Sequence, residues 1–256
     1  MAVWVITGAS RGIGLELVKQ LVARGDVVVG AARNPETCSA LKELESSSSG
    51  KLHLVKMDVE DPETIKSAAA EIEKLCPKGI DVLVNNAGIS GPFAQSSQET
   101  VKSVIEVHKV NVVGPLMVTQ AMLPLLRKGS RKMIANVSSG AGSLAGKVKF
   151  VEDAETRKNL PYATQAMAYK MSKAALNMQT LSLAADLKDE GITVISFCPG
   201  WVATDMGSQG TNLMKSGATP TYTSQQSVEL QLKLLDGLTL DKSGGYFQHT
   251  GETIPW

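Results

Sequence analysis

The stretch Thr7-Gly-Ala-Ser-Arg-Gly-Ile-Gly14 constrains this chain more than any other. It follows an apolar run at residues 2–6 and opens a segment in which Ile13, Leu17, Val18 and Leu21 recur at helical spacing. A strand that becomes a helix through three glycines has few uses. Gly8 permits a tight turn, Gly12 lets backbone approach a pyrophosphate, and Gly14 lets helix and strand pack closely. The helix N-terminus would then face an anion, with Ser10, Arg11 and Ile13 in the same turn. The spacing is G-x-x-x-G-x-G rather than G-x-G-x-x-G. A plain strand–helix connection is the alternative, so the rest of the chain has to decide.

The alternation that starts there continues. Strand signals at residues 26–31, 52–57, 80–84, 131–137, 192–198 and 245–249 are separated by helical signals. The helices are read at 35–45, from Asp61-Pro62-Glu63 onward, at 100–127, at 167–187 and at 227–235. Several of the strands are almost wholly apolar, as strands buried on both faces should be. The pattern predicts an α/β fold, a doubly wound Rossmann architecture with a central, mostly parallel sheet of about seven strands in a single domain over residues 1–256. Gly114 and Pro115, just after Asn111, predict a kink or break in the 100–127 helix. Ser46-Ser-Ser-Ser-Gly50 reads as a surface loop, and residues 207–223, rich in Gly, Ser and Thr, read as a mobile loop.

Composition removes several function classes. The 256 residues carry a net charge of +1 and only 4% aromatics, so neither an electrostatic nor a stacking surface for nucleic acid is expected. Residues 110–126 lack charge but contain Asn111, Pro115, Gln120 and Pro124, a poor membrane span. Cys38, Cys76 and Cys198 show no C-x-x-C spacing and read as reduced thiols. No His has partners at metal-ligand spacing. The expectation is a soluble, cytoplasmic protein with no metal, no nucleic-acid partner and no membrane.

The tip of the second strand, Gly30-Ala-Ala-Arg33, bears on the cofactor. An acid there would bind the adenosine ribose hydroxyls and favour NAD. Arg33 stands there instead, and with Arg11 it would suit a 2′-phosphate, so NADP(H) is expected. Asp58 and Val59, past the third strand, would meet the adenine edge; Asp58 could equally begin a turn.

Tyr169-Lys-Met-Ser-Lys173 lies in the 167–187 helix. Four positions apart is one turn, so phenol and ammonium share a face. A fixed cation beside a phenol favours the phenolate, and moving its pKa by about 3 units takes about 4 kcal/mol, which requires a shielded cleft. Taken alone, such a pair is also what a solvated helix face looks like.

Together the motifs resemble the short-chain dehydrogenase/reductases across essentially the whole chain. The glycine turn, Asn85-Asn-Ala-Gly88, Asn111, Ser139, Tyr169-x-x-x-Lys173 and Pro199-Gly200 occur in that family's order. Asn136-Val-Ser-Ser139, Cys198-Pro-Gly-Trp-Val-Ala-Thr-Asp-Met206 and Gly251-Glu-Thr-Ile-Pro-Trp256 resemble its carbonyl reductase group, in particular a sniffer/C-factor-like branch. The resemblance implies an NADPH-dependent reductase of aldehydes or ketones acting on a small-molecule carbonyl substrate. Tyr169 would be the acid, Lys173 would lower its pKa and hold the nicotinamide ribose, and Ser139, rather than Ser138, would hydrogen-bond the substrate oxygen. Asn111 would hold a water that feeds protons to Lys173. Asn85, Ala87 and Gly88 would approach the cofactor after the fourth strand, while Pro199, Gly200, Val202 and Thr204 would face the nicotinamide. The alternative is an NADP(H)-binding signalling or interaction protein of the C-factor type. From Ser139 to Tyr169 is 30 positions, far more than in compact members, which marks an insertion at about 144–166. It would border the substrate cleft or cover the dimerisation face, so monomer and homodimer both stay open.

Overall fold

The computed structural model describes residues 1–153, 155, 164–209 and 219–256. Seven strands form one sheet: β1 (Val3–Thr7), β2 (Val27–Ala32), β3 (Leu52–Lys56), β4 (Val82–Asn85), β5 (Met133–Val137), β6 (Thr193–Cys198) and β7 (Tyr246–Gln248). Their order is β3-β2-β1-β4-β5-β6-β7, and every pairing is parallel. The chain starts at the middle, runs outward to β3, then crosses back to lay β4 on the other side of β1. That reversal opens a crevice beyond the C-terminal ends of β1 and β4, the place where open α/β sheets bind ligands.

The period-two alternation of β1 shows why both faces are covered. Trp4 and Ile6 enter one core cluster and Val5 the other, all fully buried. The Trp4 face packs against α1 (Gly12–Arg24), α2 (Ser39–Ser47) and, near the C-terminus, α9 (Ser224–Gly237), through Leu17, Leu21, Leu41, Val228 and Leu232. The Val5 face packs against α3 (Pro62–Leu75), α5 (Gly114–Lys128) and α7 (Met167–Leu187), through Ile65, Ile72, Val118, Met122 and Leu187. Local chemistry sets the helix ends. Gly25, at φ 94°, closes α1 by donating to Leu21 and Val22 carbonyls. Asp61 caps α3 by accepting from the Glu63 N–H at 3.0 Å.

Three elements differ from the sequence-based expectation. The helix expected at 35–45 is a 3₁₀ turn, Pro35–Thr37, followed by α2 from Ser39. Cys38 between them is extended and its thiol reaches the Ser10 carbonyl at 3.3 Å, so the chain is pulled toward the glycine turn. The kink or break expected near Asn111–Pro115 takes the form of a turn of π-helix, Lys109–Val113, linking α4 (Val101–His108) to α5 without interruption. A wider turn accommodates Pro115 and exposes a specific side chain inward, here Asn111. The continuous helix Val101–Lys128 is long and apolar enough to cross a membrane by length and composition, but half of its apolar window is buried in the fold. In the expected insertion, α6 (Leu144–Glu152) is helical, and residues 154 and 156–163 lie outside the described residues. In the expected loop at 207–223, the short helix α8 (Asp205–Gln209) covers the start, and residues 210–218 lie outside the described residues.

Candidate active site

The glycine turn is held from across the crevice. Thr7 Oγ1 accepts the N–H groups of Asn86 and Ala87 at 3.0 and 3.1 Å, and Asn86 Nδ2 donates to the Thr7 carbonyl at 2.9 Å. The two loops lie so close that a Cβ on Gly8, itself at φ +67°, would stand 2.9 Å from the Ala87 Cα. Only glycine fits. The first turn of α1 has no side-chain cap, which leaves its amide donors for an anion in the crevice. Gly14 is buried and Ile13 packs against the core, so these two fix the helix and not a ligand's side groups.

The residues after β4 divide their labour. Asn85 is buried, and its Nδ2 donates to Thr119 Oγ1 at 3.1 Å and to Asn136 Oδ1 at 2.9 Å. Its side chain therefore ties β4 to α5 and β5 and does not enter the crevice. Ala87 and Gly88 line the opening. A Cβ on Gly88 would lie 3.2 Å from Asn111 Oδ1 and 3.8 Å from Lys173 Nζ, so these three positions meet. Asn111 is fully buried; its carboxamide accepts from the Ile89 N–H and donates to the Ile89 carbonyl, both at 2.9 Å, and donates to Ser172 Oγ at 3.0 Å. The π-turn thus clips the loop after β4 to the helix carrying Tyr169.

At the end of β5 the two adjacent serines part ways. Ser138 is buried and donates to Asn177 Oδ1 at 2.6 Å. Ser139 is half-buried, continues in extended geometry two residues past β5, and starts the 3₁₀ turn Gly140–Gly142 with its hydroxyl 3.2 Å from the Ala141 N–H. α7 comes close to this turn because position 142 is glycine: a Cβ there would sit 2.7 Å from the Lys173 carbonyl carbon. Lys173 is 5% exposed, donates to the Val137 carbonyl at 2.8 Å, and holds its Nζ 5.6 Å from the Tyr169 ring centroid. Burial pulls its ammonium from an ordinary 10.5 down to about 8, with Cys198 working the other way. Cys198 is itself buried, which raises its thiol above the usual range and leaves it protonated and inert. A chain of side-chain hydrogen bonds, Asn85 to Asn136 to Thr180 to Ser196, locks β4, β5, β6 and α7 beneath the site.

The last wall follows β6. Pro199 offers its carbonyl to Ser227 Oγ at 2.7 Å, and Gly200, at φ +81°, rests against the His249 imidazole. Val202 is buried, and the Thr204 methyl would contact a Cβ on Gly12 at 3.3 Å. The segment after β6 thus folds over the glycine turn. α8 spans the crevice: Asp205 pairs with Arg11 at 3.2 Å on one lip and Gln209 with Ser90 at 3.0 Å on the other.

The structure therefore brings Tyr169, Lys173, Asn111 and Gly88 together, and Lys173 is tied to the β5 end by the carbonyl of Val137, two residues before Ser139. It does not direct Arg11 toward Arg33; the Arg11 guanidinium is engaged by Asp205, while Arg33 is exposed just beyond β2. Asp58 begins a turn, with one carboxylate oxygen accepting the Glu60 N–H at 3.0 Å, and Val59 packs against Gly114 at the start of α5. Ser10 spends its carbonyl on Cys38. Thr7 and Asn86, which lock the glycine turn, are not among the residues singled out from sequence. The Thr before the first glycine and the second Asn of Asn-Asn-Ala-Gly were visible, but not that they meet. Among the described residues, no group of three His, Cys, Asp or Glu could hold a metal ion.

A family model for short chain dehydrogenases matches residues 2–151 and 159–213. The fold superposes on NADPH-bound carbonyl reductase from chicken fatty liver with a TM-score of 0.83 and 34% identity, covering 100% of this chain and 99% of that one. It superposes on the carbonyl reductase Sniffer of D. melanogaster with a TM-score of 0.86 and 29% identity, covering 100% of both chains. The chain is also 37% identical to the C-signal of Myxococcus xanthus, over 71% of this chain and 96% of that protein.

Proposed function

The chain belongs to the short chain dehydrogenase family, and from that premise we propose that it is an NADPH-dependent reductase of aldehyde or ketone carbonyls. The observation that carries this reading is the buried Lys173 ammonium, which lies beside the Tyr169 ring and donates to the carbonyl of Val137, two residues before Ser139. The crevice fits a dinucleotide: an uncapped helix N-terminus and a glycine cradle that a Cβ would fill. NADPH-bound carbonyl reductase from chicken, with the same fold, supports the choice of cofactor.

The backbone of Gly8, Ser10, Gly12 and Ile13 would hold the pyrophosphate, with Gly14 letting the helix start pack close beneath it. Arg33 would meet the 2′-phosphate, joined by Arg11 once it leaves Asp205, with Asp58 and Val59 near the adenine. Asn85 by its backbone, Ala87 and Gly88 would border the nicotinamide ribose. Pro199, Gly200, Val202 and Thr204 would flank the carboxamide. When bound, reduced nicotinamide supplies a hydride. Tyr169 donates a proton to the carbonyl oxygen as the carbon is reduced, and its phenolate is the base in reverse. The Ser139 hydroxyl donates to the same oxygen and stabilises its developing charge. Lys173 would hold the ribose, and its charge favours the Tyr169 phenolate. Asn111 keeps the loop after β4 and α7 in register and orders a water toward Lys173.

The test is loss of NADPH absorbance when purified protein meets a panel of reactive carbonyls, including an o-quinone and isatin. The reading predicts turnover of at least one; tight NADPH binding with no turnover across a broad panel contradicts it. The similarity to C-signal favours a second reading, an NADP(H)-binding signalling protein. That reading predicts a biological effect that survives Tyr169→Phe.

A further inference from the structure

Ser139 lies two residues past β5, and among the described residues its hydroxyl is engaged by the Ala141 N–H alone, at 3.2 Å, so its placement depends on how firmly its backbone is held. The Ser139 carbonyl takes two donors. One is local, the Gly142 N–H at 2.8 Å. The other comes from far along the chain, the phenol of Tyr246 on the edge strand β7. Tyr246 is 1% exposed, with its ring packed among Cys198, Ile254 and Trp256.

Its own placement is over-determined. The Trp256 ring stacks on it, centroids 5.0 Å apart and planes at 21°. The residues that follow Ser139 are tied to the same stretch: Ser143 Oγ donates to the Pro255 carbonyl at 2.6 Å and the Ala145 N–H to the Trp256 carbonyl at 2.8 Å. Residues 246–256 thus grip the Ser139 turn at three points: 139, 143 and 145. Burial raises the Tyr246 phenol well above the ordinary tyrosine range, so it stays a donor at every working pH, with Asn177 and Ser138 also adjoining its oxygen.

We infer that Tyr246, clamped by Trp256, is a positioning residue for Ser139: it fixes the Ser139 peptide so that the hydroxyl is aimed at the substrate carbonyl oxygen. The phenol is committed to a main-chain carbonyl and is not a second acid. The inference rests on the reductase reading above and adds to it a residue on the last strand of the sheet. It matters because a misplacement of about 1 Å at a catalytic group costs about 100-fold in rate.

The experiment is a double-mutant cycle on kcat with a carbonyl the wild type reduces, using Tyr246→Phe, Ser139→Ala and the pair. Tyr246→Phe keeps the stacked ring and removes only the hydroxyl. It should lower kcat by about 10-fold or more with NADPH affinity unchanged, and should have no further effect once Ser139 is Ala. Trp256→Leu, which retains the phenol but loosens its ring, should give a smaller loss that also vanishes in the Ser139→Ala background. Wild-type kcat in Tyr246→Phe overturns the inference, as does an equal loss with and without the serine hydroxyl, which would mean general destabilisation. An active wild type beside a fully active Tyr246→Phe sinks this inference alone; a wild type that binds NADPH but reduces nothing sinks the reductase reading and this with it.

Discussion

The two halves of the sheet present different kinds of atoms to the crevice. Around β1 and β4, the glycine turn and the 86–88 loop make the crevice from main chain and small residues, packed until no Cβ fits at Gly8 or Gly14. Around β5, β6 and α7, the site is made from named side chains set on a buried polar network: Asn136, Ser138, Asn177, Thr180 and Ser196. On the proposed reading, the difference follows from the task. An anion is recognised by amides and a helix end, which any sequence can supply provided the backbone can approach. Proton transfer needs one phenol and one ammonium in fixed geometry, so side-chain identity and its support are decisive.

The contrast can be broken first at Tyr169. Tyr169→Phe should cost about 10²- to 10⁴-fold in kcat while NADPH still binds, since it removes the proton donor and no part of the crevice. Comparable loss of NADPH affinity would show that the two halves are not separable. Lys173→Met should act on stability as well as rate. The folded-state pKa near 8 lies below the 10.5 of the unfolded chain, so the unfolded state holds more protons between those values. Stability of the wild type should therefore rise with pH from about 8 to about 10.5 through this residue and be lowest below pH 8, by about 3 kcal/mol. Lys173→Met should remove that rise, measurable by urea unfolding at a series of pH values. An unchanged profile would mean the ammonium is not buried in solution.

On the other half, Gly8→Ala should cost about 1–3 kcal/mol, from positive φ and contact with Ala87, and should weaken NADPH binding more than it slows chemistry in the saturated enzyme. Smallest is Asp205→Ala. Both partners of its pair with Arg11 are mostly exposed, so stability should change by less than about 1 kcal/mol in thermal unfolding. NADPH affinity should rise if Arg11 is freed toward the 2′-phosphate, and should not fall.

What could be read from sequence follows the same division. The glycine turn, the strand–helix alternation and the Tyr169/Lys173 spacing are local patterns, and they appear in the fold close to where the sequence put them, apart from the start of the second helix at Ser39 and the π-turn at 109–113. The inward turn of Asn85, the lock between Thr7 and Asn86, and the engagement of Arg11 by Asp205 depend on partners 34 and 51, 79, and 194 positions apart, respectively. No local pattern carries such pairings. The π-turn at Asn111 was visible as an irregularity at Gly114-Pro115, but whether a helix breaks or widens there is settled by Ile89 and Ser172, which reward Asn111 for pointing inward. The helical start of the insertion, α6, is likewise held by the far end of the chain at Pro255 and Trp256.

The most direct test is a crystal structure with NADP⁺ and an unreactive ketone analogue bound together. The account predicts one carbonyl oxygen within hydrogen-bonding distance of both the Ser139 hydroxyl and the Tyr169 phenol, with Lys173 Nζ on the nicotinamide ribose. A ketone oxygen that reaches neither hydroxyl, or a Lys173 turned away from the ribose, would contradict it.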